Sequence, residues 1–147
     1  METKKVDIAI VGAGPAGLSF ALSLAKSGLK VALLEQQSLD KVAKPEFDGR
    51  DIAMTHLSKT ILTELGVWQD FPRQAIHHIK EAKVINGPLS DFHNEAACLH
   101  FERSDEADAP LGYLVANYQI RQALFNQLDQ HKNIELLCGQ GVKSIES

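Results

Sequence analysis

Apolar residues along this chain gather into short runs, and their spacing predicts the elements. Val6 to Val11 is an apolar, largely β-branched run with Asp7 as its one polar residue, and its length predicts a strand buried on both faces. From Pro15 the apolar positions Leu18, Phe20, Ala21, Leu22, Leu24 and Ala25 predict a buried helix. Pro15 suits its first turn, and Gly28 supplies a stop. The run "LKVALLE", ending at Glu35, then predicts a second buried strand, which completes a β-α-β unit.

The same stretch invites an export or membrane reading, because "METKK" is basic and Ile8 to Ala25 carries no charge. Asp7 interrupts the apolar stretch. Gly12, Gly14, Pro15 and Gly17 also sit where a spanning helix needs unbroken turns. Two elements joined by a glycine-rich turn account for it better.

Past a polar loop, Gln36 to Pro45, the residues Met54, Leu57, Ile61 and Leu65 fall at helical spacing, with Gly66 as the stop. "HIKEAKVING" and "ACLHFE" predict two strands joined through an Asn86-Gly87-Pro88 turn. "SDEADAP" is an acidic loop closed by proline. "LGYLVANYQIRQALFNQLDQHKNIELLCG" predicts strand, helix and strand, with Ile120, Leu124 and Leu128 on the buried helix face.

Length and composition then limit the functions available. At 147 residues with 44% hydrophobic content the chain can bury one domain core and little more. A net charge of -4 with scattered lysines gives no footprint for nucleic acid. Cys98 and Cys138 lie far apart without C-x-x-C spacing, and the six histidines follow no ligand spacing, so no disulfide framework or metal site is expected.

The turn between the first strand and helix reads G-A-G-P-A-G, from Gly12 to Gly17. Gly12 allows the tight turn, Gly14 lets a pyrophosphate approach the backbone, and Gly17 lets helix and strand pack closely. Pro15 opens the helix without an N–H to spend, and the free N–H groups that follow at Ala16 and Gly17, with the positive end of the helix, face the phosphates. Glu35, eighteen residues after Gly17 and followed by Gln36, can accept both hydroxyls of an adenosine ribose and disfavours a 2′-phosphate. A dinucleotide cradle is the expectation; glycines that serve packing alone are the alternative. FAD and NAD share this cradle.

Further motifs separate the two. The pattern D-x-R-x-x-A at Asp48, Arg50 and Ala53, followed by Ser58, Leu62 and "LGVW", resembles the flavin-dependent aromatic hydroxylases of ubiquinone biosynthesis. "FDGR-IA-TH-S" and "LGYLVANYQIRQAL" are similar to the demethoxyubiquinol hydroxylase branch, and the resemblance runs from Val6 to about Glu135. It implies an α/β, Rossmann-like FAD/NAD(P)-binding three-layer fold with the beginning of a β-sheet substrate subdomain. Residues 1–75 would form the FAD-binding unit with the Arg-containing helix, 76–110 the start of the substrate sheet, and 111–147 the return to the FAD-binding domain.

The resemblance implies that Arg50 contacts FAD near its pyrophosphate and that Asn117 reaches the ribityl region. Read without it, Arg50 is a solvated residue at a helix start and Asn117 a helix N-cap or turn residue. His100 and Phe101 are candidates to line a substrate pocket, with ordinary sheet residues as the simpler reading. No nucleophile–base pair or carboxylate dyad is visible, which suits chemistry carried by a cofactor.

The implied reaction is a monooxygenation: NAD(P)H reduces FAD, oxygen forms a flavin C4a-hydroperoxide, and hydroxyl passes to a polyprenylated quinol. The implied setting is cytoplasmic, in peripheral contact with the inner face of a membrane and within reach of a ubiquinone-biosynthesis complex. Full family members continue through a second FAD motif with Gly-Asp. No Gly-Asp dipeptide occurs here, so the chain is expected to be an N-terminal portion that is inactive alone. Other readings are an oxidoreductase sharing only the cradle, and a non-catalytic nucleotide-binding module.

Overall fold

A computed structural model describes residues 3–85, 98–102 and 109–146. It is an α/β fold, as expected, built on a parallel sheet of β1 (Ile8–Val11), β2 (Val31–Glu35) and β8 (Ile134–Cys138), with β2 central. Helix α1 (Pro15–Ser23) packs beside helix α4 (Asn117–Leu128). Between β2 and α4 the chain forms α2 (Leu39–Ala43), β3 (Asp51–Met54), α3 (His56–Glu64), β4 (His77–Ile79), β5 (Glu81–Ile85), β6 (Cys98–Glu102) and β7 (Gly112–Ala116).

β7 pairs antiparallel with both β3 and β4, so this second sheet draws on widely separated stretches. It also places the start of α4 beside the residues just before β3, since Asp51 pairs with Ala116. One apolar core joins both sheets to the helices, from Ile10, Leu18 and Leu33 to Met54, Val115 and Leu124. Leu18, Leu33 and Leu124 are fully enclosed, and each contributes about 2 kcal/mol of transfer free energy.

β2 is buried as its apolar run predicts, and Ile120, Leu124 and Leu128 form the inward face of α4. β1 is not buried on both faces: Ile10 is enclosed, yet Val11 is 60% exposed. Burial alternates along the strand, with Ile8 and Ile10 turned to the core and Ala9 and Val11 on the face left exposed among the described residues. α1 ends at Ser23, well before Gly28, in a series of turns that donate to the Ala21, Leu22 and Leu24 carbonyls. Phe20, expected inside, is 52% exposed.

The helix expected from Met54 onward is a strand followed by a shorter helix. Met54 is buried, but as the last residue of β3, opposite Tyr113. Thr55 then caps α3, its hydroxyl accepting the Ser58 amide at 3.2 Å. The cap resets the helix phase, so Leu57 and Ile61 face outward and Leu62 turns inward. Gly66 ends the helix as predicted, at φ +76°.

The segment from His77 divides at Lys80, where the chain leaves β7 and enters a separate hairpin of β5 with β6. The Asn86-Gly87-Pro88 turn lies outside the described residues. In that hairpin His100 pairs with Lys83 and Phe101 with Ala82. His100 lies between Glu81 (3.3 Å) and Glu102 (3.2 Å), an exposed grouping that cross-strand register creates and linear spacing hides. No described helix is long and apolar enough to cross a membrane.

Candidate dinucleotide-binding site

The turn from β1 into α1 lies at the carboxyl ends of β1 and β2, where open α/β sheets bind their ligands. Gly12 has φ +100°, a region that favours glycine, and its amide continues the ladder to the Leu34 carbonyl at 2.7 Å. A Cβ on Gly17 would stand 1.9 Å from the Gly12 carbonyl oxygen, so the close packing expected there is present. Gly14 differs from both. Its backbone is extended (φ -78°, ψ 179°), and a Cβ would meet nothing within 4 Å. Neither conformation nor packing within the described chain calls for glycine at 14; open space lies over it.

Pro15 opens α1 and Gly14 is its N-cap without a side-chain bond. The Leu18 amide donates to the Gly14 carbonyl at 2.9 Å, which leaves the Ala16 and Gly17 amides as the donors of the first turn without a partner among the described residues. Glu35 closes the turn from the other side. Its carboxylate accepts the Ala13 amide at 2.7 Å and the Gln37 amide at 2.9 Å. Partial burial alone would raise the Glu35 pKa. The Gln37 and Ala13 amides, the Arg121 charge and the Gln36 amide outweigh it and hold the group below its ordinary value. Gln36 itself is exposed and contributes through that backbone amide.

Arg50 and Asn117 meet at a third residue, Asp48. Arg50 donates to Asp48 Oδ2 through Nε (2.9 Å) and Nη2 (2.5 Å), and Asn117 Nδ2 donates to the same oxygen at 2.6 Å. The Asn117 amide also donates to the Arg50 carbonyl at 2.8 Å. Asn117 is 4% exposed and is the first residue of α4, while Ala116 is the N-cap. The N-cap reading of Asn117 is therefore replaced by a buried tie between α4 and the loop before β3. Arg50, 67% exposed along its side chain, stands before β3 and not at a helix start.

Hydrogen bonds from the Arg50 and Asn117 side chains outweigh the slight burial of Asp48 and, with the Arg50 amide and charge, bring its pKa from 3.8 to about 2. A carboxylate whose folded pKa is depressed stabilises the fold above its unfolded pKa, and that stability is lost as pH falls through the folded value. Wild type is therefore expected to outlast Asp48→Asn in thermal unfolding above about pH 4, with the difference closing between 3.8 and about 2. A difference in melting temperature that stays constant down to pH 2 would remove Asp48 from this role.

Sequence reasoning quoted Asp48 within D-x-R but gave it no task, and it missed Arg121. Arg121 follows Asn117 by one helical turn, donates to the Gln37 side chain at 3.3 Å, and has a buried Nε–H without a partner among the described residues. Its charge lowers the Glu35 pKa, so α4 links the glycine turn to the Asp48 cluster. The i, i+4 spacing from Asn117 was the available signal.

The sequence profile of a family described as FAD binding domain matches residues 5–145. The chain is 43% identical to the ubiquinone hydroxylase UbiM of Neisseria meningitidis over 145 residues, which is 96% of this chain and 30% of the relative. It is 31% identical to the 3-demethoxyubiquinol 3-hydroxylase of Escherichia coli over 92% of this chain and 33% of that protein. Among solved structures, p-nitrophenol 4-monooxygenase PnpA from Pseudomonas putida superposes with a TM-score of 0.70 at 23% identity, over 100% of this chain and 35% of that one. The chain thus spans about a third of the length of these relatives, and the PnpA likeness speaks for the fold alone. With the profile matched over nearly every residue, the chain belongs to the FAD binding domain family.

Proposed function

We propose that the chain is the FAD-binding part of an enzyme that hydroxylates the aromatic ring of a ubiquinone precursor, a polyprenylated quinol, with NAD(P)H as reductant and O2 as oxidant. The observation that carries this reading is Gly14: a glycine that the chain itself does not require, under open space, beside unpaired helix amides. Relatives named for ubiquinone hydroxylation support the substrate class.

The described residues fit FAD. The Ala16 and Gly17 amides and the positive end of α1 face the place of the pyrophosphate. Each Glu35 oxygen already accepts one backbone amide and keeps a lone pair for a ribose hydroxyl. Because Asp48 holds Arg50 by Nε and Nη2, the Nη1 group stays available for a phosphate oxygen. Asn117 spends its amide N–H on Asp48 and keeps Oδ1 to accept from a ribityl hydroxyl.

Bound FAD supplies the redox chemistry, accepting reducing equivalents and activating oxygen. The chain's part is to grip and orient it, and to keep water from that half of the site. The polyprenyl tail of the substrate brings the enzyme to a membrane surface.

Titration with FAD against NAD+, read by flavin fluorescence and NAD+ displacement, tests the cofactor. In the full-length enzyme Glu35→Ala is expected to weaken FAD binding by about 1–3 kcal/mol, the scale of a hydrogen bond to a charged group. An unchanged dissociation constant would take Glu35 out of the site, and preference for NAD+ would overturn the assignment.

A further inference from the structure

Away from the cradle, residues of α3, β4, β7 and the turns between them enclose an open cleft of about 650 Å³. Its nitrogen-bearing lining is His56, Lys59, Arg73 and His78, with Trp68 and Tyr113 as aromatic walls. No carboxylate lines it among the described residues. Lys59 Nζ donates to the Tyr113 hydroxyl at 3.2 Å and lies 5.0 Å and 5.5 Å from the Tyr113 and Trp68 ring centroids. These contacts fix the ammonium in place, but a ring quadrupole is no counter-charge. Neither Lys59 nor Arg73 enters an ion pair among the described residues.

The surroundings add positive potential. His56 opens α3 and Lys59 follows three residues later, while no acidic residue occupies the first turn. A helix amino end favours anions, so this placement opposes the chain's own electrostatics unless an outside anion completes it. His56 is also anchored, its Nε2 donating to the Pro110 carbonyl at 2.8 Å. His56 and His78 stand edge-on to the Tyr113 ring, at 5.6 Å and 5.5 Å. The wall is thus tied together around the Lys59 ammonium.

We propose that this cleft binds a phosphate monoester through Lys59 and Arg73. A lysine and an arginine lining one cleft without a carboxylate match a dianion better than a single carboxylate, and the Arg73 guanidinium offers a fork that fits phosphate oxygens. Phosphate of this kind arrives on a soluble nucleotide or on a lipid headgroup. The proposal is independent of the FAD reading.

Calorimetric titration of the protein with inorganic phosphate and adenosine 2′-monophosphate tests it, beside co-sedimentation with phosphatidylcholine vesicles containing or lacking phosphatidic acid. Saturable binding is expected, weakened at least about tenfold by Lys59→Met and by Arg73→Gln, and unchanged in Gly14→Val. Arg73 is exposed on a short turn, so its variant keeps the test valid where Lys59→Met fails to fold. Tighter binding of the nucleotide than of phosphate identifies a soluble ligand; sedimentation that depends on phosphatidic acid identifies a headgroup.

Absence of saturable binding overturns the proposal, as does binding that both variants leave intact or that Gly14→Val abolishes. Asp105, Glu106 and Asp108 precede Ala109 and Pro110 of the lining in sequence. Binding that appears only once these three carboxylates are replaced by amides would show that the chain fills its own cleft, and would overturn it too.

Discussion

Gly14→Val is expected to abolish measurable FAD binding in the full-length enzyme while leaving the fold in place. The backbone at 14 is extended, which valine adopts readily, and its Cβ would touch nothing within 4 Å. The stability cost is confined to the helix N-cap, where glycine outranks valine by about 1 kcal/mol. The isopropyl group would instead fill the space over the unpaired Ala16 and Gly17 amides, where the pyrophosphate has to lie. Binding should weaken by at least about a hundredfold, near 3 kcal/mol. Fluorescence titration beside a thermal melt separates the two effects: a folded variant with wild-type affinity would end the cradle assignment.

This contrast among glycines shows how far the sequence could be read. The order of strand, glycine turn, helix, strand and terminal Glu35 is local, with each step fixed by neighbours a few residues away, so it was legible. The inward face of α4 was legible too, because Ile120, Leu124 and Leu128 keep helical period over about two turns. Met54 misled because a strand and a capped helix can place one apolar residue each where a single helix would place both. Only the pairing with Tyr113, nearly sixty residues away, decides between them.

The candidate site was legible in its parts and not in their connection. Arg50 and Asn117 stood out from the resemblance, yet what joins them is Asp48, accepting from both across 69 residues of sequence separation from Asn117. Arg121 was hidden by its ordinary appearance on an amphipathic helix. Its meaning comes from β2 and α4 meeting, which puts it near Gln37 and Glu35. The same non-local pairing assembles Glu81, His100 and Glu102, and the cation-lined cleft around Tyr113. Periodicity carries no information about such encounters.

Gly17→Ala should be the most destabilising of the cradle substitutions, although helix propensity points the other way. Alanine is worth about 1 kcal/mol more than glycine inside a helix, and Gly17 lies within α1. Against this, its Cβ would stand 1.9 Å from the Gly12 carbonyl oxygen and 3.1 Å from the carbonyl carbon, both backbone atoms. No rotamer change relieves that contact. Gly12 cannot swing aside either, because its amide is tied to the Leu34 carbonyl at 2.7 Å and its φ of +100° is already set by the turn. The helix must move from the sheet, loosening Leu18, Ala21 and Leu22 from the core. Overpacking of this kind costs about 1–3 kcal/mol and more where backbone meets backbone, so a net loss of about 3 kcal/mol is expected. Urea unfolding of the two proteins decides the matter: stability equal to wild type, or above it as propensity alone would have it, would mean that helix and turn do not approach as closely as described.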